Sequence, residues 1–131
     1  MSSTCLELFG AAQALPEADE AEKRTKISRL YYALYSYACE FHDSLGSDGV
    51  LLRGNVGMHK QLSQMLTNPT VNISELQKAS RSMGTMQQLA HELRVKADYH
   101  LDEDVSDKDL RDIKRYVRSG MAIPLRTKAA A

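Results

Sequence analysis

"ISRLYYALYSYACEF", Ile27 to Phe41, decides the fold of this 131-residue chain. Its apolar residues, Ile27, Leu30, Tyr31, Leu34, Tyr37, Ala38 and Phe41, step by three and four, which lays one apolar stripe along a helix. Upstream, "LPEADEAE" joins an early proline to acids that favour a helix N-terminus, so the helix is predicted to begin near Pro16 or Asp19. Downstream, the glycines of "SLGSDG" end it.

On either side the same spacing recurs. A shorter helix precedes, with Leu6, Phe9, Ala12 and Leu15 on its inner side. "SDGVLLRGNVG", with glycines at 46, 49, 54 and 57, reads as a loop. "MHKQLSQML" gives a short helix with Met58, Leu62, Met65 and Leu66 on one side, stopped by "TNPT". "NISELQKASRSMGTMQQLAHELRVKADY" carries a second long helix, in which Ser74 and Gln77 fit a capping box. Its stripe runs through Leu76, Ala79, Met83, Met86, Leu89 or Ala90, Leu93 and Ala97. Gly84 interrupts it at about 1 kcal/mol relative to alanine, which is tolerable where another helix comes close.

A last helix is predicted from Ser106 to Gly120, with Leu110, Ile113 and Val117 inside. Lys108, Arg111 and Arg115, with Lys114 or Arg118, follow helical spacing on another side and form a basic ridge in solvent. Residues 121–131 read as a flexible tail. About five helices, two of them long, predict an all-α up-and-down bundle in a single domain, 1–131.

Composition bounds the function. The chain holds 17 basic and 17 acidic residues, so no global field draws it to nucleic acid or membrane, and any such partner must meet a local patch. Two cysteines, Cys5 and Cys39, lack paired metal spacing and read as reduced thiols. The N-terminal stretch carries Glu7 and no basic lead before its short apolar run, unlike a secretory signal, and no apolar run is long enough to cross a bilayer. A cytoplasmic protein without membrane contact is the expectation.

In "ELRVKADYHLDED", Arg94 stands six positions before His100 at a predicted helix end. Imidazole can move the proton of an RNA 2′-hydroxyl at neutral pH, and a guanidinium can hold the charge that builds on phosphate. Six residues place the two side chains about 120° apart on a continuous helix, so they converge only if the helix ends before His100 or a second subunit supplies one of them. The simpler reading is an ion pair between Arg94 and Asp98, four apart, with His100 in the following loop. His59 and His91 lack ligand spacing for a metal, and "HE" at 91 and 92 lacks a distal histidine, so neither metal nor cofactor is expected. Tyr31 and Tyr37 are expected in the core with hydroxyls at its rim, while Tyr32 and Tyr35 fall on other sides. The ridge of Lys108, Arg111 and Arg115 is the candidate RNA contact, diluted by Asp107, Asp109 and Asp112.

Two of these segments together carry a resemblance. "ISRLYYALYSYACEF" resembles the "SRaYYAmyhaa" helix, and "ELRVKADY" the "R-x-x-ADY" helix end, of the higher eukaryote and prokaryote nucleotide-binding (HEPN) superfamily. "GMHKQLSQML" falls where many members have a histidine-led short helix, and the likeness spans about Leu6 to Val117. It implies an all-α bundle that forms a two-fold homodimer around a cleft. In many members it implies metal-independent ribonuclease activity in toxin–antitoxin or phage-defence systems. By the same resemblance Arg94 would hold phosphate, Asp98 would orient it and His100 would transfer protons. Val95, where active members commonly have a polar residue, and the "ADY" ending also resemble accessory members that bind a nucleotidyltransferase or a larger effector. The tyrosine that some such partners modify is replaced by Asp102.

Overall fold

A computed structural model describes residues 3–127 of the chain. Five helices follow one another: α1 (Cys5–Gln13), α2 (Glu20–Leu45), α3 (Met58–Thr67), α4 (Ser74–Tyr99) and α5 (Asp107–Met121). Three begin with reciprocal caps, Thr4 with Glu7, Asp19 with Glu22 and Ser106 with Asp109, so each start is fixed by side chains that satisfy otherwise unpaired N–H groups. α4 does not use its expected box. Its N-cap is Ile73, without a side-chain hydrogen bond, and Gln77 instead donates to the Val71 carbonyl at 2.9 Å.

The α2 stripe is the core. Ile27, Leu30, Tyr31, Leu34, Ala38, Phe41 and Leu45 are all buried, the large aliphatic and Phe side chains contributing about 1.5–3 kcal/mol each. Met83, Ala90 and Ala97 meet it from α4, and Leu110, Ile113 and Val117 from α5. Two expected inner residues, Leu6 and Met58, are 72% and 73% exposed, because each sits in the first turn of its short helix, beyond the edge of the core.

Contacts fix the directions. The start of α2 meets the end of α4 through Arg24, and Tyr31 meets Gln87, so these helices are antiparallel. α5 runs antiparallel to α4, with Lys96 on Asp109 at its start. The up-and-down order therefore holds for the two long helices and α5. α3 pairs Ser63 with Gln87 and Ser80 with the Leu66 carbonyl, so it too opposes α4 and lies parallel to α2. The glycine-rich loop makes this possible by running back along α3: Val50 donates to the Asn68 carbonyl, Arg53 N–H to Gln64, and Gln61 to the Val56 carbonyl. Gly49, with φ 77°, turns there against the carbonyl of Met65, where no Cβ fits.

The flexible tail is not what residues 121–127 form. Ile123 and Leu125 pack on the core, Tyr37 donates to the Ile123 carbonyl, and Arg126 donates to the Leu45 carbonyl at 2.8 Å, covering the C-terminus of α2. Burying two apolar side chains and pairing an otherwise free helix-end carbonyl outweighs the chain entropy of the segment. Residues 128–131 lie outside the described residues. No helix among the described residues is long and apolar enough to cross a membrane.

Candidate functional site

α3 covers only the first two-thirds of α4, so near its own N-terminus the α4 face that would otherwise continue the core turns polar. Gln87, His91, Arg94 and Asp98 occupy that face in succession, at helical spacing. Arg94 Nε donates to Asp98 Oδ2 at 2.8 Å, and the same oxygen accepts from Ser28 Oγ at 3.1 Å, which ties the pair to α2. The Arg94 guanidinium lies 5.5 Å from the Tyr99 ring centre, and its Nη groups have no hydrogen-bond partner among the described residues.

α4 ends at Tyr99, and His100 is its C-cap. Its side chain is 51% exposed, with Nδ1 3.5 Å from Glu103. His100 borders a groove of about 500 Å³ between α3 and α4, lined also by Lys60, Ser63, His91, Glu92 and Val95. Arg94 faces α2 and His100 the α3 side, so within one chain no hydrogen bond joins them. Arg24 fixes this helix end from α2. Its guanidinium donates to the carbonyls of Lys96, Ala97, His100 and Glu103 while Glu20 holds its other edge at 2.7 Å.

Lys108, Arg111 and Arg115 share an exposed side of α5, but Lys108 and Arg115 both bond to Asp112, at 2.7 and 3.4 Å. None of the three lines the groove.

Sequence reasoning passed over the cluster beneath Arg94. Tyr31 Oη lies 2.6 Å from His59 Nδ1, Gln87 Nε2 donates to Tyr31 Oη and to the His59 carbonyl, and Ser63 Oγ donates to Gln87 Oε1. The His59 and His91 rings stack with centres 4.9 Å apart and planes 13° apart, and Tyr35 lies against His59. Burial, then the Arg94 charge, lowers the His59 pKa; burial, then His59, Arg94 and Lys60, brings His91 down to about 4. Burial likewise raises the Tyr31 hydroxyl well above its ordinary range and makes both free thiols, Cys5 and Cys39, poor nucleophiles. The only forewarning in the sequence was the buried-face position of Gln87, one turn before His91, in an otherwise apolar stripe.

Both imidazoles bind protons less readily folded than unfolded. Their contribution is complete above the ordinary imidazole value of about 6.5 and is lost as the pH falls towards about 4 for His91. The urea midpoint is therefore expected to fall between about pH 7 and about pH 5, and His91→Gln should flatten most of that slope. Glu17, lowered to about 2 by hydrogen bonds from Lys26 and Lys114, acts only below the carboxylate range and leaves this window clear. An identical slope in the variant would assign the loss elsewhere.

For a metal, His100, Asp102 and Glu103 bring donor atoms within 4.8 Å of one another, all on exposed side chains. Ligands of one small cation stand roughly 3.4 Å apart, so this loop is open rather than shaped for an ion. No protein-family profile, curated protein or solved structure matches this chain.

Proposed function

We propose that this chain engages RNA or a nucleotide as a HEPN-like homodimer and acts as a metal-independent ribonuclease. The observation that carries the reading is the helix end itself: Arg94 is held by Asp98 with its Nη groups free, while His100 caps the same helix beside the open groove. A guanidinium fork of this kind suits a phosphate, and an accessible imidazole suits proton transfer to and from ribose oxygens. Because Arg94 and His100 face opposite sides of α4, cleavage is assigned to a composite site, Arg94 from one copy and His100 from the other. The bonds Lys108 and Arg115 make to Asp112 leave the α5 ridge a secondary phosphate contact, through Arg111 above all.

Cleavage of single-stranded RNA in the presence of EDTA tests this. Arg94→Ala and His100→Ala should each lower the rate by about 10²–10³-fold. Mixing the two inactive variants should restore about a quarter of the activity, since half the dimers are mixed and each carries one intact site. Cleavage unchanged in both variants would remove the assignment, and no recovery on mixing would place both residues in one chain.

A second reading is favoured by a different observation. Tyr32, Tyr99 and Leu101 are 52%, 68% and 74% exposed, and Arg29 borders both Tyr32 and the cleft that Leu101 and Asp98 line. Apolar residues beside an ion-paired Arg94 suit a non-catalytic accessory subunit whose partner is a nucleotidyltransferase or a larger effector. Dimerisation without RNA cleavage or RNA affinity would favour it.

A further inference from the structure

The stacked histidines present chemistry that neither Arg94 nor His100 uses. Ser63 Oγ has one proton and two acceptors, the His59 carbonyl at 3.2 Å and the nearer Gln87 Oε1; given to Gln87, it turns the Gln87 amide nitrogen towards Tyr31 and the His59 carbonyl. Tyr31 Oη accepts from that nitrogen, so its own proton goes to His59 Nδ1. A neutral His59 must then carry its proton on Nε2, and the whole chain of hydrogen bonds resolves into a single donor.

That donor does not stand alone. His91 stacks on the same ring, and neither of its nitrogens has a hydrogen-bond partner among the described residues. A cavity of about 240 Å³ opens between Val56, Gly57, His59, Lys60 and His91, with no carboxylate in its wall. Lys60, at an exposed position on the rim of that cavity, makes no ion pair among the described residues, so its ammonium is available to a ligand there. The first turn of α3 adds N–H groups, because Gly57 at its N-cap supplies no side chain to occupy them.

We propose that His59, His91 and Lys60 seat a terminal phosphate, a phosphomonoester carried by a nucleotide or by the 5′ end of an RNA strand. Several donors of differing direction around a small space without carboxylates match a tetrahedral oxyanion with three terminal oxygens. The charged and titratable groups facing it are Tyr31 and Tyr35 from α2, His59 and Lys60 from α3, and His91 and Arg94 from α4. Glu92, the nearest acid on the groove, lines the adjoining wall. A dianion seated there reverses the environment that keeps both imidazoles neutral, so binding takes up protons and strengthens as the pH falls from about 8 to about 6.5. The inference deepens the nucleotide reading, because a phosphate at this end would lay its nucleoside along the α3–α4 groove.

The probes are inorganic phosphate, AMP, and one short RNA made with a 5′-phosphate and with a 5′-hydroxyl, followed by imidazole ring NMR and titration calorimetry. Phosphate should shift the His59 and His91 resonances together while His42 and His100 stay in place. His91→Gln and Lys60→Ala, the latter a change at an exposed position, should each weaken phosphate binding by about tenfold or more. The 5′-phosphorylated RNA should outcompete its hydroxyl twin; AMP competing equally well would name the nucleotide as the source. If phosphate moves neither ring beyond what chloride does at equal ionic strength, and the two RNAs bind alike, the phosphate seat is wrong and the RNA reading survives. Phosphate held at His59 and His91 with no RNA bound at all would retain the seat and overturn the RNA reading.

Discussion

Arg24→Ala is expected to destabilise the fold by about 2–4 kcal/mol, from roughly 1–3 kcal/mol for each acceptor left without a donor. Arg24 is 9% exposed, and a single guanidinium closes the C-terminus of α4 by donating to the Lys96, Ala97 and His100 carbonyls and on to Glu103. The Lys96 and His100 carbonyls also accept from the backbone N–H groups of His100 and Glu103, so without Arg24 it is the Ala97 and Glu103 carbonyls that turn to water or stay unpaired. Lysine cannot stand in: its donors radiate from a point and cannot span carbonyls that a planar fork reaches along both edges. Arg24→Lys should therefore fold, with a lower denaturant midpoint and faster amide exchange confined to residues near 97–103. Because Arg24 also fixes where the loop leaves His100, the proposed ribonuclease reading predicts that this variant loses RNA turnover more than RNA affinity. An alanine variant within about 1 kcal/mol of the parent, with unchanged exchange at the end of α4, would show that the network contributes little.

The bundle was legible because apolar spacing is a local signal, and α2 and α5 carry it almost without interruption: Ile27 to Phe41 and Leu110 to Val117 bury as their periodicity requires. Arg94, Asp98 and the helix end at His100 were legible for the same reason, being a matter of i,i+4 spacing and of where a helix stops. What spacing does not carry is which polar residues meet across helices. Ser80 and Gln87 are completely buried, yet Ser80 reads as a surface residue and Gln87 as a polar break in an apolar stripe until α3 brings the Leu66 carbonyl and Ser63 to them. His59 and His91 stand 32 positions apart, so only the return of the loop along α3 makes them neighbours. The docking of residues 121–127 was hidden likewise, since "AIPL" has no period and finds its partners on a helix end some 80 residues earlier.

Gly84→Val is expected to destabilise the protein by about 3 kcal/mol and to part the two stacked histidines. A Cβ at Gly84 would lie 2.6 Å from Thr67 Cγ2, 3.0 Å from Leu66 Cβ and 3.1 Å from Thr67 N. Two of those neighbours cannot yield: one is backbone, and Thr67 is held by its hydroxyl on the Ser63 carbonyl at 2.8 Å. Alanine gains about 1 kcal/mol in helix propensity, but overpacking of about 1–3 kcal/mol opposes it, so Gly84→Ala should lose about 1 kcal/mol net. Valine adds two methyl groups against the same wall and a stiffer χ1, which leaves α3 no course but to move off α4. Gly120 sets the contrast: its added Cβ would meet Leu34 Cδ1 at 2.5 Å, the far end of a side chain that can change rotamer, so Gly120→Ala should be the milder substitution. The movement has a readout besides stability. α3 carries His59 and Lys60, α4 carries His91, and the 4.9 Å separation of the rings depends on the approach that Gly84 permits. Gly84→Val should abolish the mutual ring-current shifts of His59 and His91 and the phosphate response with them, while the ion pair of Arg94 with Asp98, tied to α2, stays in place. A valine variant as stable as the parent, with its ring shifts intact, would mean that the approach of α3 to α4 does not depend on this glycine.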